Sequence, residues 1–148
     1  MTIKEQIEKD FLKAYKSHEE LKVSVLRMLK SSIKNAEIDK KTELNDSDVI
    51  AVLKKEIKQR KDSIEAYKEA GRDDSALQES KEMELLSSYL PNQMSEEEIR
   101  TIAEETITQT SASGMQDMGK VIGAIMQKHG DNVDGGAVSK VVKELLSK

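Results

Sequence analysis

The sequence predicts an all-α protein, with an N-terminal bundle of about four helices followed by a small three-helix domain. Of the 148 residues, 35% are charged and 36% hydrophobic, and strong helix formers such as Lys, Glu, Leu, Ile and Ala are abundant. One proline and seven glycines interrupt this composition, and no long stretch alternates apolar and polar residues as a strand would. Breakers and capping residues therefore divide the chain into about seven helices.

Capping boxes predict the first two helices. In a capping box a Ser or Thr side chain and a Glu three residues later each accept the other residue's backbone N–H. Thr2 and Glu5 have this spacing at the first helix, and Ser17 and Glu20 repeat it at the second. Apolar residues recur every three or four positions in both segments, as on one face of a helix. The polar residues 39–46 end the second helix.

The third predicted helix is the longest and begins after Asp46 or Ser47. Gly71 ends it, because glycine readily adopts the left-handed conformation that commonly follows a helix. The fourth helix begins near Asp74 and ends before Pro91, since proline has no amide hydrogen to donate.

A domain boundary is predicted near residue 92, separating residues 1–91 from residues 92–148. Positions 1 to 90 hold 18 basic and 19 acidic residues, whereas positions 91 to 148 hold 6 and 9, together with six of the seven glycines. In the second part, Ser95 begins the fifth helix, the sixth ends at Gly130, and Asp134 caps the seventh.

Composition excludes several classes of function. The absence of cysteine excludes disulfides, thiolate zinc sites and cysteine nucleophiles, and a net charge of -4 is unlike proteins that coat nucleic acid indiscriminately. No apolar run approaches the ~20 residues of a membrane span, and the N-terminus is too charged for a signal peptide, so we expect a cytoplasmic protein. His18 and His129 belong to no metal-binding array, and we predict no cofactor, metal or catalytic residue.

Arg60 falls on the apolar seam of the third helix, where an unpaired guanidinium is costly to desolvate. It therefore needs an anionic partner. One interpretation is an ion pair with Glu79 or Glu82 of the fourth helix, and the other is a functional contact with an anion.

Residues 22–61 carry eleven basic and six acidic side chains, a local net charge of +5 in an acidic chain. If the second and third helices are neighbours, their basic stripes form one phosphate-binding face; the alternative is ordinary solvated surface. With so few aromatic residues a base-stacking platform is not expected, and binding would read the phosphate shape of folded RNA. The stripes consist of Arg27, Lys30 and Lys34 on the second helix and Lys54, Lys58 and Lys61 on the third.

Gly119 and Gly123 lie four residues apart inside a predicted helix, where each costs about 1 kcal/mol relative to Ala. One interpretation is tight packing of this small face against the last helix. The other is that the face accepts a partner, with Lys120, Lys128 and His129 supplying contacts.

Four short motifs stand out along the chain: Lys58-Gln-Arg60, Glu79-x-x-Glu82, Tyr89-Leu-Pro91 and Met118-Gly-Lys-Val-Ile-Gly123. With these motifs the chain resembles the YqeY-like family over essentially the whole sequence. The resemblance implies a helical bundle followed by a three-helix domain.

The region from about Met118 to Leu146 also resembles the C-terminal tail of GatB, a subunit of the tRNA-dependent amidotransferase, which is a carbon–nitrogen ligase using glutamine as amido donor. In GatB this tail helps to hold the body of the tRNA. The resemblance does not extend to the catalytic parts of that enzyme. Carried over to this sequence, it makes tRNA-facing candidates of Gly119, Lys120, Gly123 and Gly130.

These observations predict a noncatalytic tRNA-binding module, with an amidotransferase or an aminoacyl-tRNA synthetase as its expected protein partner. A protein-interaction adaptor without RNA contact is the first alternative, and the acidic net charge favours it. An amide-transfer enzyme that acts with missing subunits is the second.

Overall fold

The computed structural model describes residues 1–147, which form α-helices joined by short turns and contain no strand. The all-α prediction is confirmed. The chain divides into two compact units between Leu90 and Pro91. None of the helices within this range is both long enough and apolar enough to span a membrane.

The first unit is a bundle of four helices in which α1 packs on α2 and α3 packs on α4. Its core is mainly aliphatic, contributed by all four helices and by Leu44 in the connection before α3. The helices are α1 (Ile3–Lys16), α2 (Glu20–Lys40), α3 (Asp46–Glu69) and α4 (Asp73–Ser87). The buried core residues are Ile7, Val25, Leu26, Leu29, Ile33, Leu44, Val49, Leu53, Ile57 and Leu86.

Capping boxes begin α1 and α3. The Thr2 hydroxyl accepts the Glu5 N–H at 3.1 Å, and the Glu5 carboxylate accepts the Thr2 N–H at 3.0 Å, which confirms the predicted box. At α3, Asn45 makes the corresponding exchange with Asp48 at 2.9 and 3.2 Å. Helix α3 therefore begins at Asp46, one residue before the earliest predicted start, because Asn45 is the cap rather than Asp46 or Ser47.

The predicted capping box at α2 is wrong. Glu19 is the N-cap of α2, and its side chain accepts no hydrogen bond from the first turn; Ser17 is instead the C-cap of α1. His18 adopts the left-handed conformation at φ 57°, and the Glu19 N–H then donates to the Ala14 carbonyl at 3.0 Å. This closing turn is the Schellman motif that glycine usually provides.

Gly71 ends α3 as predicted, at φ 73°, and the Arg72 N–H donates to the Tyr67 carbonyl at 2.8 Å. Farther along, the Tyr89 hydroxyl donates to the Asp10 carboxylate of α1 at 2.6 Å. Burial raises the pKa of Tyr89, and this hydrogen bond raises it further. The segment after α4 is therefore fastened to α1 by a polar contact.

The second unit contains three helices and two single turns of 3₁₀-helix on either side of α6. Side-chain caps at Ser95 and Asp134 begin α5 and α7, as the sequence predicts. The helices are α5 (Glu96–Thr110), α6 (Met118–His129) and α7 (Gly135–Leu146). Their shared core is built from Ile99, Ala103, Val121, Ile125, Val133, Val138, Val141, Val142 and Leu146.

Candidate functional site

Arg60 is the one buried charged residue in the described part of the chain. Its Nη1 donates to the Glu56 carboxylate at 3.0 Å and to the Glu56 carbonyl at 3.3 Å. The predicted ion pair with α4 is therefore wrong, because a residue one turn earlier on the same face of α3 reaches the guanidinium first. Glu82 still lies within electrostatic range: burial raises its pKa, Glu79 raises it further, and Arg60 opposes both.

Glu56 also connects Arg60 to α2. Its second carboxylate oxygen accepts the Ser32 hydroxyl at 2.9 Å, so one half-buried carboxylate joins α2, α3 and the guanidinium. The Arg60 Nε is buried without a hydrogen-bond partner. Because the Arg60 side chain itself is only 7% exposed, it acts in packing rather than as a surface contact for an anion.

The basic stripes on α2 and α3 do not merge into one face, although the helices are neighbours. The side of α3 turned toward α2 is marked by Glu56, which contacts Ser32. At about 100° per residue, the lysines of α3 lie roughly 140–160° around that helix from Glu56. The expectation of a single basic face is corrected accordingly. Arg27 and Lys34 on α2, and Lys58 and Lys61 on α3, are exposed, whereas Lys30 and Lys54 are half-buried.

Phe11 contacts one aromatic side chain of α1 and two cationic side chains of α2. The Arg27 Cζ lies 5.8 Å from the Phe11 ring centroid and the Lys30 Nζ lies 4.2 Å from it, both within cation–π range. The Tyr15 ring is 6.3 Å away, tilted by 35°. This cluster was not predicted from the sequence. The four-residue spacing of Phe11 and Tyr15 is the one feature of the sequence that indicates it, because the two cations lie on another helix.

A groove of about 690 Å³ runs between α2 and α3 beside this cluster. Apolar, hydroxyl and charged side chains line it, and Arg27 lies on its wall. The lining residues are Glu20, Val23, Ser24, Arg27, Met28, Ser31, Ser32, Glu56 and Gln59.

In the second unit, Gly119 and Gly123 are exposed, and a Cβ built at either position would meet no neighbouring atom within 4 Å. The interpretation that this face packs tightly against the last helix is therefore wrong. Helix α6 instead buries Val121 and Ile125 in the core. The glycine face, defined here as Gly119 and Gly123, is open to solvent.

Two lysines of α6 have different surroundings. The Lys120 Nζ donates to the Thr110 carbonyl at 3.3 Å, near the C-terminal end of α5. Lys128 is exposed and lines a groove of about 430 Å³ between α5 and α6, together with His129. Gly130 is half-buried in the 3₁₀ turn that follows α6. Among residues 1–147, no three His, Cys, Asp or Glu side chains are grouped as metal ligands would be.

A model of the Yqey-like protein family matches residues 4–146. The chain belongs to the YqeY-like family. The resemblance drawn from the four motifs is thereby confirmed, whereas the narrower resemblance to the GatB tail stays a prediction.

Curated relatives include proteins named "Altered inheritance of mitochondria protein 41, mitochondrial" from three fungi. The Clavispora lusitaniae protein is 30% identical over 93% of this chain and 81% of its own length. The Pyrenophora tritici-repentis protein is 26% identical over 95% and 79%. The Vanderwaltozyma polyspora protein is 38% identical over 57% of this chain, and the match spans 46% of that relative.

These relatives correct the predicted location. The expectation of a cytoplasmic protein rested on the charged N-terminus and the lack of an apolar span, whereas these three relatives are named as mitochondrial proteins. A charged N-terminus argues against a secretory signal but carries no information about import into organelles.

Proposed function

We propose that this YqeY-like protein is a noncatalytic module that binds tRNA, with the glycine face of α6 as a principal contact. The open surroundings of Gly119 and Gly123 are the observation that carries the proposal. Each glycine costs about 1 kcal/mol relative to Ala inside a helix. Neither glycine is needed for packing within the unit. We therefore take their role to be to let a ligand approach the backbone of α6 closely.

Charge near the glycine face suits a phosphate ligand. Gly119 and Lys120 are in the first turn of α6, where the helix dipole favours anions. The hydrogen bond to Thr110 holds the Lys120 ammonium at the C-terminal end of α5, and its remaining N–H groups are available to a phosphate oxygen. The resemblance to the GatB tail supports the same neighbourhood.

The first unit supplies two separate sets of exposed cations. Arg27 and Lys34 lie on α2, while Lys58 and Lys61 lie on the far side of α3. As the two sets do not share a face, each would contact a different stretch of backbone phosphate. We assign α3 the weaker role, because ordinary solvated lysines have the same appearance.

A protein-interaction adaptor is the second candidate. Residues 91–148 hold 9 acidic and 6 basic side chains, which disfavours binding to a polyanion through this unit. The glycine face would then accept a helix of an amidotransferase or aminoacyl-tRNA synthetase. Salt dependence distinguishes the two candidates. For phosphate contacts the logarithm of the binding constant falls linearly with the logarithm of the salt concentration, whereas contacts between small apolar faces lack this dependence.

The test is fluorescence anisotropy of labelled total tRNA, titrated with purified protein across a salt series. We expect Gly123→Ala and Lys120→Glu to weaken binding, and Lys58→Glu with Lys61→Glu to weaken it less. Gly136→Ala is the matched control, because Gly136 is also an exposed helical glycine in the second unit. Absent or salt-insensitive binding would contradict the tRNA proposal and direct the search to protein partners.

A further inference from the structure

We propose that Phe11, Tyr15, Arg27 and Lys30, here called the aromatic–cation surface, bind an unpaired nucleotide of RNA. The base stacks on the exposed ring of Tyr15, and an adjoining phosphate pairs with Arg27. This inference rests on the proposed function for the source of the RNA and specifies that a single-stranded segment is bound.

Tyr15 has the exposure that stacking requires. Its residue surface is 60% exposed, whereas Phe11 is half-buried beneath the two cations. The contact with Phe11 limits the motion of the Tyr15 ring on one side. A ring held in this way offers its free surface to a base at little cost in side-chain entropy.

Arg27 has the charge that a phosphate requires. Lys30 is already paired with the Glu8 carboxylate at 2.7 Å, but no carboxylate within residues 1–147 forms an ion pair with Arg27. The Phe11 ring positions the Arg27 guanidinium without neutralising it. Such a guanidinium retains N–H donors in the planar arrangement that matches phosphate oxygens.

The surroundings favour an anionic polymer over a lipid surface. Lys9, Lys13 and Lys16 are exposed on α1 but lie roughly 100–160° around that helix from Tyr15, so the positive charge of this surface comes from Arg27 and Lys30. Leu12, 49% exposed, is the other large apolar side chain exposed on this helix. Two such side chains provide little area for insertion into a membrane, but they suit a flat base with a charged backbone.

The structure also explains how a base-stacking surface arises in a chain with few aromatic residues. The chain has one Phe and three Tyr, and two of these four rings are brought together on α1. Single-strand binding combines a stacking ring with a cation that follows the backbone, and one such pair is sufficient for one nucleotide.

The test measures binding of a short, non-self-complementary single-stranded RNA and of its duplex by fluorescence anisotropy. We expect Tyr15→Leu to weaken single-strand binding roughly 5- to 150-fold, the range for loss of one stacked base. Tyr15→Phe keeps the ring and should retain binding. Arg27→Gln should lower the slope of log affinity against log salt by about 0.7, the value for one phosphate contact on a single strand.

Tyr67→Leu is the matched control, because Arg72 lies 5.4 Å from the Tyr67 ring centroid in a second cation–π contact of the same unit. It should bind like the wild type. Circular dichroism checks that each variant is folded. The inference is overturned if Tyr15→Leu binds single strands as the wild type does, if it loses duplex binding equally, or if Tyr15 matters only for binding to anionic vesicles.

The two proposals fail separately. If wild-type protein binds tRNA through α6 and Tyr15→Leu does not change single-strand binding, the proposal for the aromatic–cation surface is wrong and the proposal of a tRNA-binding module is supported. The opposite result is that single-strand binding depends on Tyr15, while the protein binds tRNA no more tightly than other RNA and binding does not depend on Gly123. The proposal for the aromatic–cation surface is then supported, and the proposal of a tRNA-binding module is wrong.

Discussion

The two units differ in what they bury. The first unit places a charged side chain inside: Arg60 is 6% exposed and paired with Glu56, and the half-buried Tyr89 is bonded to Asp10. The core cluster of the second unit is wholly apolar, and its ion pair between Arg100 and Glu144 lies at the surface. The helices of the first unit are therefore joined partly by polar bonds away from the surface. Those of the second unit are joined by an apolar core, and the polar bonds seen between them within residues 91–147 lie at its surface.

This difference predicts where substitutions are costly. A buried polar group that loses its partner is left unsatisfied, whereas an exposed one returns to water. We expect the first unit to be sensitive to loss of single polar atoms. The second unit should tolerate changes at its surface and even gain stability at its open glycines.

The largest effect is expected at the buried ion pair. Glu56→Leu leaves Arg60 buried without a charged partner and should lower the free energy of unfolding by about 3–5 kcal/mol. Combining Glu56→Leu with Arg60→Leu should recover most of the loss, because both charges are then removed from the interior. Urea unfolding followed by tyrosine fluorescence measures this, since all three tyrosines lie in the first unit.

Arg100→Leu is the matched comparison in the second unit, where urea unfolding is followed by circular dichroism because no tyrosine lies in that unit. It removes an ion pair of 2.6 Å whose side chains are 34% and 44% exposed, so stability should be unchanged within error. Equal losses for Glu56→Leu and Arg100→Leu would break the contrast between the units.

A smaller loss is expected at Tyr89. Tyr89→Phe removes the hydrogen bond to the Asp10 carboxylate and should cost about 1.5 kcal/mol at neutral pH, the low end for a bond to a charged group. The pKa of Tyr89 is raised above the ordinary value of 10.0, so the bond contributes fully below that pH and its contribution is lost as the pH rises beyond it.

Urea unfolding monitored by circular dichroism, at neutral pH and again above pH 10, tests this prediction. Wild type should lose stability over that interval, and Tyr89→Phe should lose less. Tyr67→Phe is the control, as no side-chain hydrogen bond is seen for the Tyr67 hydroxyl within residues 1–147. The assignment to Tyr89 fails if its removal leaves the pH dependence unchanged.

The smallest effect has the opposite sign. Gly123→Ala should raise the free energy of unfolding of the second unit by about 1 kcal/mol, because the added methyl group meets open space inside a helix. Gly71→Ala should instead destabilise the first unit, since φ is 73° there. Thermal unfolding monitored by circular dichroism distinguishes the two signs, and a loss at Gly123 would mean that its surroundings are already filled.

Much of the fold was predictable because helix signals are local. Thr2 with Glu5, Ser95, Asp134 and Gly71 each act within one turn of their own helix, so they mark its ends in any tertiary setting. Ser17 was wrongly predicted as the N-cap of α2 because it lies between two helices and its local sequence suits either one. Only the packing of the two helices decides that it ends α1.

The candidate sites were less predictable because their partners are distant in sequence or equivalent in pattern. Arg60 has three glutamates with which it could pair by sequence position, namely Glu56, Glu79 and Glu82. Which of them forms the ion pair depends on the distances between side chains in the folded bundle. In the same way, a Gly-x-x-x-Gly spacing is compatible with both packing and exposure.

The sequence by itself determined the helical class and most helix ends of this YqeY-like chain, because spacing and caps act through neighbouring backbone groups. Only the tertiary structure decided that the stripes of α2 and α3 diverge, that Phe11 collects Arg27 and Lys30, and that the glycine face is open. These depend on how each helix is rotated about its axis when it packs. That rotation is set by the sum of many apolar contacts and is not contained in any short motif.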